Sequence, residues 1–449
     1  MELYKNIIGS SVLCALLLLD AVPSASAHSV DMTLSEGIRM ALENNYSIEK
    51  SESDLDHAYW QLREARRNGG PTLKWSASAN RVGGKAYDSA SYDNEFSNKL
   101  SASMPLYTGG KLENSIKSAK FGLSGAELTL ERTKQNVRNT VTQDYYNILR
   151  YRSQVEVYQE SVKNLQAHLD NVKAKFRAGT VPQTDILSSE VSLAEKKQTL
   201  VTTINDYHVA IATFNNDVGL PTETQTEARD QLEYERYEME LPECLEYALL
   251  HRPDLFQKEY NLRQQKASME AEKSGYRPTV DASVSRSFAG DGPFKTNIDT
   301  SDAWTAGITA NWNIFDNQVT QAKVKQKKSS VRYAEAELND KLAGVKLDVH
   351  TAYLNLRAAE ENIKTMGEAL DKAKEDYRIE VVRYTAGVGT NLEVMDAQDK
   401  LVTAKGDFIS ALYNYNVSRA NLDKAMGIPV DLDVTPYREA IMKDKEKGE

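Results

Sequence analysis

The chain has only two cysteines among its 449 residues, Cys14 and Cys244. The first lies in a short apolar stretch, residues 12–19, which follows a basic residue and is followed by Ala-Ser-Ala at 25–27. This arrangement predicts a secretory signal peptide over residues 1–27. Cys244 is then alone in the mature chain, which excludes a framework of disulfides.

The sequence also lacks the features of helical membrane proteins and of enzymes. There is no second long apolar run, the formal net charge is -10 and the mean hydropathy is -0.55. These values argue against a bundle of membrane-spanning helices. The six histidines are scattered without metal-ligand spacing, and neither a phosphate-binding glycine loop nor a nucleophile elbow is present. We therefore expect no enzymatic activity, no cofactor, no metal site and no nucleic-acid partner.

The sequence contains an internal repeat, because several segments of its first half recur in its second half at a nearly constant offset. We predict two tandem structural repeats, at 28–220 and 241–428, joined by a linker at 221–240 and followed by a charged C-terminal tail at 429–449. The recurring segments are 34–42 and 241–249, 71–78 and 278–285, 176–179 and 384–387, and 219–221 and 427–429.

Each half contains two segments in which apolar and polar residues alternate. A period of two over about ten residues is typical of a strand that crosses a membrane, apolar toward lipid and polar toward a lumen. A soluble antiparallel sheet with one solvent-exposed face has the same pattern. For each strand taken alone, a membrane barrel and a soluble sheet therefore both stay open. The predicted strands are ~72–82, ~97–108, ~279–288 and ~303–315, and polar loops at 83–95 and 289–301 connect them in pairs. Aromatic residues near the strand ends would form an interfacial girdle; they are Trp75, Tyr107, Trp304, Trp312 and Phe315.

Long helical stretches follow each strand pair and predict hairpins at ~111–218 and ~318–426. Residues 111–176 contain no proline, which allows a helix of about 100 Å at 1.5 Å per residue. Apolar residues recur at every seventh position, and Phe176 and Tyr384 both belong to these rows. Such a repeat predicts coiled-coil packing, with charged residues between the rows, such as Lys175, on a solvated face.

Four strands cannot close a barrel by themselves, and an open sheet edge is not tolerated in hydrocarbon. If the predicted strands span a membrane, several chains must therefore pool them in a ring. The count alone leaves two, three or four protomers open.

The order of elements and the two hairpin-tip motifs resemble the TolC family of bacterial outer-membrane efflux and secretion proteins. The motifs are Phe176-Arg-Ala-Gly-Thr-Val-Pro-Gln-Thr-Asp-Ile-Leu187 and Tyr384-Thr-Ala-Gly-Val-Gly-Thr-Asn-Leu-Glu-Val-Met-Asp-Ala397. The resemblance implies an α+β membrane protein: a homotrimer whose twelve-stranded β-barrel, four strands per chain, is continued by an α-helical coiled-coil tunnel. It also implies a passive exit duct embedded in outer-membrane lipid, for tripartite efflux or type I secretion, opened at its periplasmic tip by a periplasmic adaptor and an inner-membrane transporter.

Two carboxylates follow the second tip, Glu393 and Asp396, three residues apart and hence on one helical face. The resemblance implies that they line the closed periplasmic entrance, where a three-fold ring of carboxylates would attract cations and raise the pKa of its members. An acid pair that stabilises a helix N-terminus is the alternative.

The resemblance further implies a latch, formed by Tyr384 with Thr184 and Asp185, that holds the entrance shut. Where the type member of the family has a basic residue after the second tip, this chain has Gly389, and ordinary seam packing is the alternative role of Tyr384. The hairpin tips would dock against an adaptor; their residues are Ala178, Gly179, Thr180, Val181, Ala386, Gly387, Val388, Gly389 and Thr390.

A periplasmic coiled-coil adaptor or scaffold without a membrane barrel is the competing hypothesis, because it also explains export and long hairpins. The paired alternating segments with tryptophans at their ends argue against it.

Overall fold

The computed structural model describes residues 29–84, 89–290 and 303–446. The predicted signal peptide and most of the second predicted strand connection lie outside these residues. The chain divides into two compact units. Unit 1 comprises Met1–Glu43, Val141–Glu233 and Met366–Tyr413, and unit 2 comprises Asn44–Thr140, Tyr234–Thr365 and Asn414–Glu449.

Within the described residues, short helices, strands and long helices follow one another in the same order in both halves of the chain. The first half contains β1 (Ser29–Met32), α1 (Leu34–Asn44), α2 (Tyr46–Arg67), β2 (Thr72–Gly84), β3 (Ser89–Tyr107), α3 (Lys111–Arg177) and α4 (Gln183–Val218). The remainder contains β4 (Gln225–Ala228), α5 (Leu241–His251), α6 (Pro253–Glu272), β5 (Thr279–Gly290), β6 (Ala303–Asn311), α7 (Val319–Thr385), α8 (Asn391–Met426) and α9 (Thr435–Glu446).

Two strand ends differ from the prediction. Strand β3 begins at Ser89, so a large part of the predicted loop at 83–95 is paired with β2. Strand β6 ends at Asn311, so Trp312 and Phe315 follow the strand instead of closing it. In both places the sequence is polar or mixed, and strand pairing with a neighbour decides the boundary.

The predicted linker and tail also contain regular structure. Strand β4, within 221–240, pairs in parallel with β1 in unit 1. In unit 2, helix α9 occupies most of the predicted tail and packs Ile441 near Phe256 and Tyr260 of α6. The polar composition of the tail concealed this amphipathic helix. In the described part of the chain, no helix is long and apolar enough to cross a membrane.

The second sheet, in unit 2, is antiparallel in the order β2-β3-β5-β6. Its register places most apolar side chains on one face and most polar ones on the other, since residues that pair across strands point to the same face; Asn98 and Arg286 are polar residues on the apolar face. One face carries Leu73, Trp75, Leu100, Ala102, Met104, Val280, Ala282, Val284, Trp304, Ala306 and Ile308; the other carries Lys74, Ser76, Lys99, Ser101, Ser103, Asp281, Ser283, Ser285, Thr305, Gly307 and Thr309.

Unit 1 contains the tips of both long hairpins and a packed seam behind them. Val172, Tyr384 and Val394 form one buried cluster, and Leu165, Leu169 and Leu193 form another. These clusters agree with the seven-residue rows of the sequence. One member of the rows departs from the expectation of a buried core: Phe176 is 41% exposed.

Candidate functional site

The backbone of each hairpin tip turns at a glycine. Gly179 and Gly387 have φ values of +71° and +79°, a left-handed conformation that side chains with a Cβ rarely adopt. In both tips the chain closes back on the preceding helix, with the amide of Thr180 donating to the carbonyl of Lys175 and that of Val388 donating to Arg383. The turn itself therefore requires glycine, and the surrounding tip residues are mostly exposed, apart from Val181 and Gly389.

The position after the second tip where the resemblance leads one to expect a basic residue leaves little room for a side chain in this chain. A Cβ at Gly389 would lie 3.0 Å from the amide nitrogen of Tyr384 and 3.1 Å from Cβ of Arg383. A basic charge is nevertheless close, because the guanidinium of Arg383 lies 3.9 Å from Glu393 and pairs with Glu380 at 2.7 Å. Arg383, a basic residue of α7, therefore lies near the start of α8, although Gly389 provides no charge there.

Glu393 caps the start of α8. Its carboxylate accepts hydrogen bonds from the amide and the hydroxyl of Thr390 at 2.8 and 3.0 Å, and the Thr390 hydroxyl accepts from the Glu393 amide at 3.2 Å. This is a capping box. The hydrogen bonds from Thr390, together with the charge of Arg383, lower the pKa of Glu393 from its ordinary value. Asp396 lies one turn later and is exposed.

Tyr384 is packed rather than hydrogen-bonded. Its side chain is 4% exposed, its ring lies 3.9 Å from Nζ of Lys175, and the ring of His168 is 5.1 Å away. Among the described residues its hydroxyl has no hydrogen-bond partner, so the expected bond to Thr184 or Asp185 is not formed in the single chain. Burial, and then the charge of Asp185, raise the pKa of Tyr384. Thr184 is exposed, and Asp185 is half-buried.

The two hairpins are instead joined by Asn391, the first residue of α8, which is 5% exposed. Its Oδ1 lies 2.6 Å from Nε2 of His168 on α3. Its Nδ2 donates to the carbonyl of Asp185 at 3.3 Å and to the hydroxyl of Ser189 at 3.2 Å, both on α4. We call these four residues the Asn391 node. It connects one hairpin to both helices of the other.

Lys175 and His168 are site residues that the sequence did not reveal. The ammonium of Lys175 donates to the carbonyl of Tyr384 at 2.5 Å, so the expectation that Lys175 lies on a solvated face is wrong. The backbone carbonyl at the end of α7 provides a partner that a pattern of side chains cannot indicate. Burial lowers the pKa of His168, with Lys175 adding to the effect and Asn391 and Asp185 opposing it.

The predicted girdle aromatics lie in unit 2 and are all exposed in the single chain. Trp75 and Trp304, 64% and 75% exposed, share one row of the apolar sheet face, and Trp312 donates its indole N–H to the carbonyl of Tyr276 at 3.2 Å. Within the described residues, no three His, Cys, Asp or Glu side chains form a group that could hold a metal ion.

Comparisons with known proteins agree with this architecture. The family model for outer membrane efflux proteins matches residues 37–219 and 244–428. The outer membrane protein TolC of Escherichia coli K12 is 22% identical over 416 residues, covering 89% of this chain and 83% of that protein. The cation efflux system protein CusC of Escherichia coli O157:H7 is 23% identical over 411 residues, covering 89% and 86%.

Solved structures share the fold. The Campylobacter jejuni CmeC outer membrane channel superposes with a TM-score of 0.79 at 17% identity, covering 91% of this chain and 88% of that one. Because the family model matches both halves of the chain, well over half of its length, this protein belongs to the family of outer membrane efflux proteins.

Proposed function

We propose that the chain is one protomer of a homotrimeric, passive exit duct of the outer membrane that serves tripartite efflux or type I secretion. The observation that carries the proposal is the four-stranded sheet with one apolar and one polar face. Among the described residues its edge strands, β2 and β6, have no neighbour on their outer sides. Three copies would join these edges into a closed barrel of twelve strands, which leaves no open edge in lipid.

The two faces of the sheet fit the two environments of such a barrel. The apolar face would contact lipid, with Trp75, Tyr107, Trp304, Trp312 and Phe315 as an interfacial girdle. The opposite face, rich in serine and threonine, would line an aqueous lumen. A soluble scaffold would have no use for this exposed apolar face.

Exposed apolar side chains near the hairpin tips support a ring of copies. The first hairpin exposes Leu187 and Val191, besides Phe176, and the second exposes Val382 and Leu392. Within one chain, one seam between the hairpins is already buried at Tyr384. A second copy placed beside the first would cover the remaining apolar side chains in the same manner, as a closed ring requires.

The helix start at Glu393 supplies an entrance filter in this proposal. Glu393 is held by Thr390, and its lowered pKa favours the charged form. Three copies would place Glu393 and Asp396 around one axis, as rings of carboxylates do in cation-selective pores. The capping role and the filter role are compatible, because one carboxylate oxygen bonds Thr390 while the side chain stays partly exposed.

Closure is assigned to the packing of Tyr384, its contact with Lys175 and the Asn391 node, instead of to a hydroxyl bond from Tyr384 to Thr184 or Asp185. Asp185 contributes its backbone carbonyl to the node. The exposed tips, residues 178–181 and 386–390, would dock the hairpins of a periplasmic adaptor. An inner-membrane transporter would supply the energy, and docking would open the entrance.

Single-channel conductance in a planar lipid bilayer tests the proposal. The wild type should give a small, cation-selective conductance. The double variant Glu393→Gln/Asp396→Asn should retain a pore and lose most of the selectivity, because glutamine still accepts the Thr390 hydrogen bonds. The matched control Asp170→Asn/Glu195→Gln removes two exposed carboxylates of the same unit that lie on α3 and α4 outside the proposed ring, and it should leave selectivity unchanged.

Equal selectivity in the wild type and the Glu393→Gln/Asp396→Asn variant would remove the acidic ring from the proposal. A folded protein that neither sediments with outer membranes nor forms trimers or pores would instead favour the periplasmic scaffold.

A further inference from the structure

One row of the apolar sheet face contains a charge. Three successive rows, which include Val280, Ala282 and Val284 of β5, carry only uncharged side chains on this face. The next row contains Arg286, paired with Leu100 on one side and Trp304 on the other. Trp75 completes this row on the far side of Leu100.

The side chain of Arg286 extends away from the uncharged rows. Its guanidinium carbon lies 4.9 Å from the ring centroid of Phe288, which is the next residue of β5 on the same face toward the end of the strand. A long basic side chain that reaches past an aromatic ring toward the end of a strand keeps its charge out of the apolar band while its stem covers apolar surface.

The position of the row fits the rim of a membrane. Six residues separate Val280 from Arg286, which is about 20 Å along the strand at ~3.3 Å per residue. Trp312 and Phe315 lie beyond the other end of β6 and lengthen the apolar surface. The total height of this surface is therefore comparable with the roughly 25 Å apolar band of a membrane barrel. Tryptophans favour the interface of a membrane with water, and Trp304 stands beside Arg286 there.

We propose that Arg286 binds the phosphate of an anionic lipid in the outer leaflet of the outer membrane, one lipid per protomer. The inference rests on the proposed barrel, in which the strand ends that join the helices face the periplasm and Arg286 faces the outer leaflet. The planar guanidinium suits a phosphate because it presents two parallel N–H donors. Trp304 would contact the lipid beside its headgroup, and Phe288 holds the guanidinium at that level.

Quenching of tryptophan fluorescence by brominated lipids tests this site in the reconstituted trimer. Vesicles would contain phosphatidylcholine and phosphatidylglycerol, with bromine on the acyl chains of one or the other. The wild type should be quenched more strongly by the brominated anionic lipid than by the brominated zwitterionic lipid. Arg286→Gln should lower this preference roughly five-fold, which is the equivalent of about 1 kcal/mol per basic residue at a membrane surface. Arg286→Lys should retain part of the preference.

Lys99→Gln is the matched control. Lys99 pairs with Ser287, next to Arg286, but lies on the opposite face of the sheet, so this variant removes the same charge at the same height. It should keep the wild-type preference.

Equal preference in the wild type and Arg286→Gln, or an equal loss in Lys99→Gln, would overturn the lipid site and leave the barrel intact. If neither brominated lipid quenched the fluorescence of any variant, the barrel itself, and with it the proposed function, would be contradicted.

Discussion

The two hairpin tips have the same backbone turn and opposite surroundings. When the tips are aligned on Gly179 and Gly387, Phe176 corresponds to Tyr384; the first is 41% exposed and the second 4%. The same alignment pairs the exposed Gln183 with the buried Asn391.

The helices that follow the two tips also start differently. Helix α4 begins after Pro182 without a side-chain cap, whereas α8 begins with the capping box of Thr390 and Glu393.

This difference indicates that one chain buries only one of the two equivalent seams at its hairpin tips. The seam at Tyr384 and Asn391 is buried by the first hairpin, and the corresponding seam at Phe176 and Gln183 faces outward. In a closed ring each outward seam would meet the next copy. Substitutions at equivalent positions of the two tips should therefore have unequal effects.

Tyr384→Ala should have the largest effect on closure. It removes a buried ring, at a cost of about 3–5 kcal/mol for truncation of a large aromatic residue. We expect many-fold higher open probability in planar bilayers. Tyr384→Phe should close as well as the wild type, because the hydroxyl has no partner among the described residues.

Phe176→Ala is the matched truncation in the other tip. It should weaken assembly of the trimer, measured by native electrophoresis, more than it changes the contacts within one chain. Equal effects of Tyr384→Ala and Phe176→Ala on closure would contradict the asymmetry of the tips.

Asn391→Ala should open the entrance by a smaller amount. The substitution leaves the Asp185 carbonyl and His168 without this partner, which costs about 1–3 kcal/mol for buried polar groups. We expect a higher open probability at unchanged trimer yield. Gln183→Ala, at the equivalent exposed position, should leave both quantities at the wild-type level. A closed Asn391→Ala channel would remove the node from the closure mechanism.

The smallest effect is a dependence of closure on pH through His168. Its folded pKa is lowered, chiefly by burial, so the neutral ring stabilises the closed tip fully above the ordinary histidine pKa of about 6.5. This contribution declines as the pH falls below that value, toward the lowered folded pKa. Lys175, Asp185 and Tyr384 are the titratable groups around the ring.

Open probability recorded between pH 8 and pH 5 should therefore rise modestly in the acidic range. His168→Gln, which keeps a donor for Asn391, should make the profile flatter. An unchanged profile in this variant would assign the pH response to other groups.

Much of the fold follows from local pattern. Alternation located the strands because each places apolar and polar residues on opposite faces, and the seven-residue rows located the helices because one seam must stay buried. The helix bounds Lys111, Val218 and Met426 agree with the sequence to within a residue or two. Strand β4 was not predicted, because its four residues form a strand only by pairing with the distant β1.

The site was predicted less completely than the fold, since its key contacts join residues far apart in sequence. An asparagine at the start of a helix looks like an exposed cap, yet Asn391 is buried by partners about 200 residues earlier. Lys175 was predicted to be solvated because its partner is the backbone carbonyl of Tyr384, which a pattern of side chains does not indicate. Glu393 and Asp396 were predicted as entrance residues because a tip motif marks their place, and this role stays a prediction.

A reversible crosslink across the Asn391 node tests whether the contact between the two hairpins keeps the entrance shut. In Ser189→Cys/Asn391→Cys, the two thiols would replace side chains that are 3.2 Å apart, so mild oxidation would join the two hairpins within one chain by a disulfide; Cys244 is buried and belongs to unit 2. We predict a leaky channel before crosslinking, a closed channel afterwards and reopening on reduction. Equal conductance in all three states would mean that the tie between the hairpins of one chain does not control the entrance.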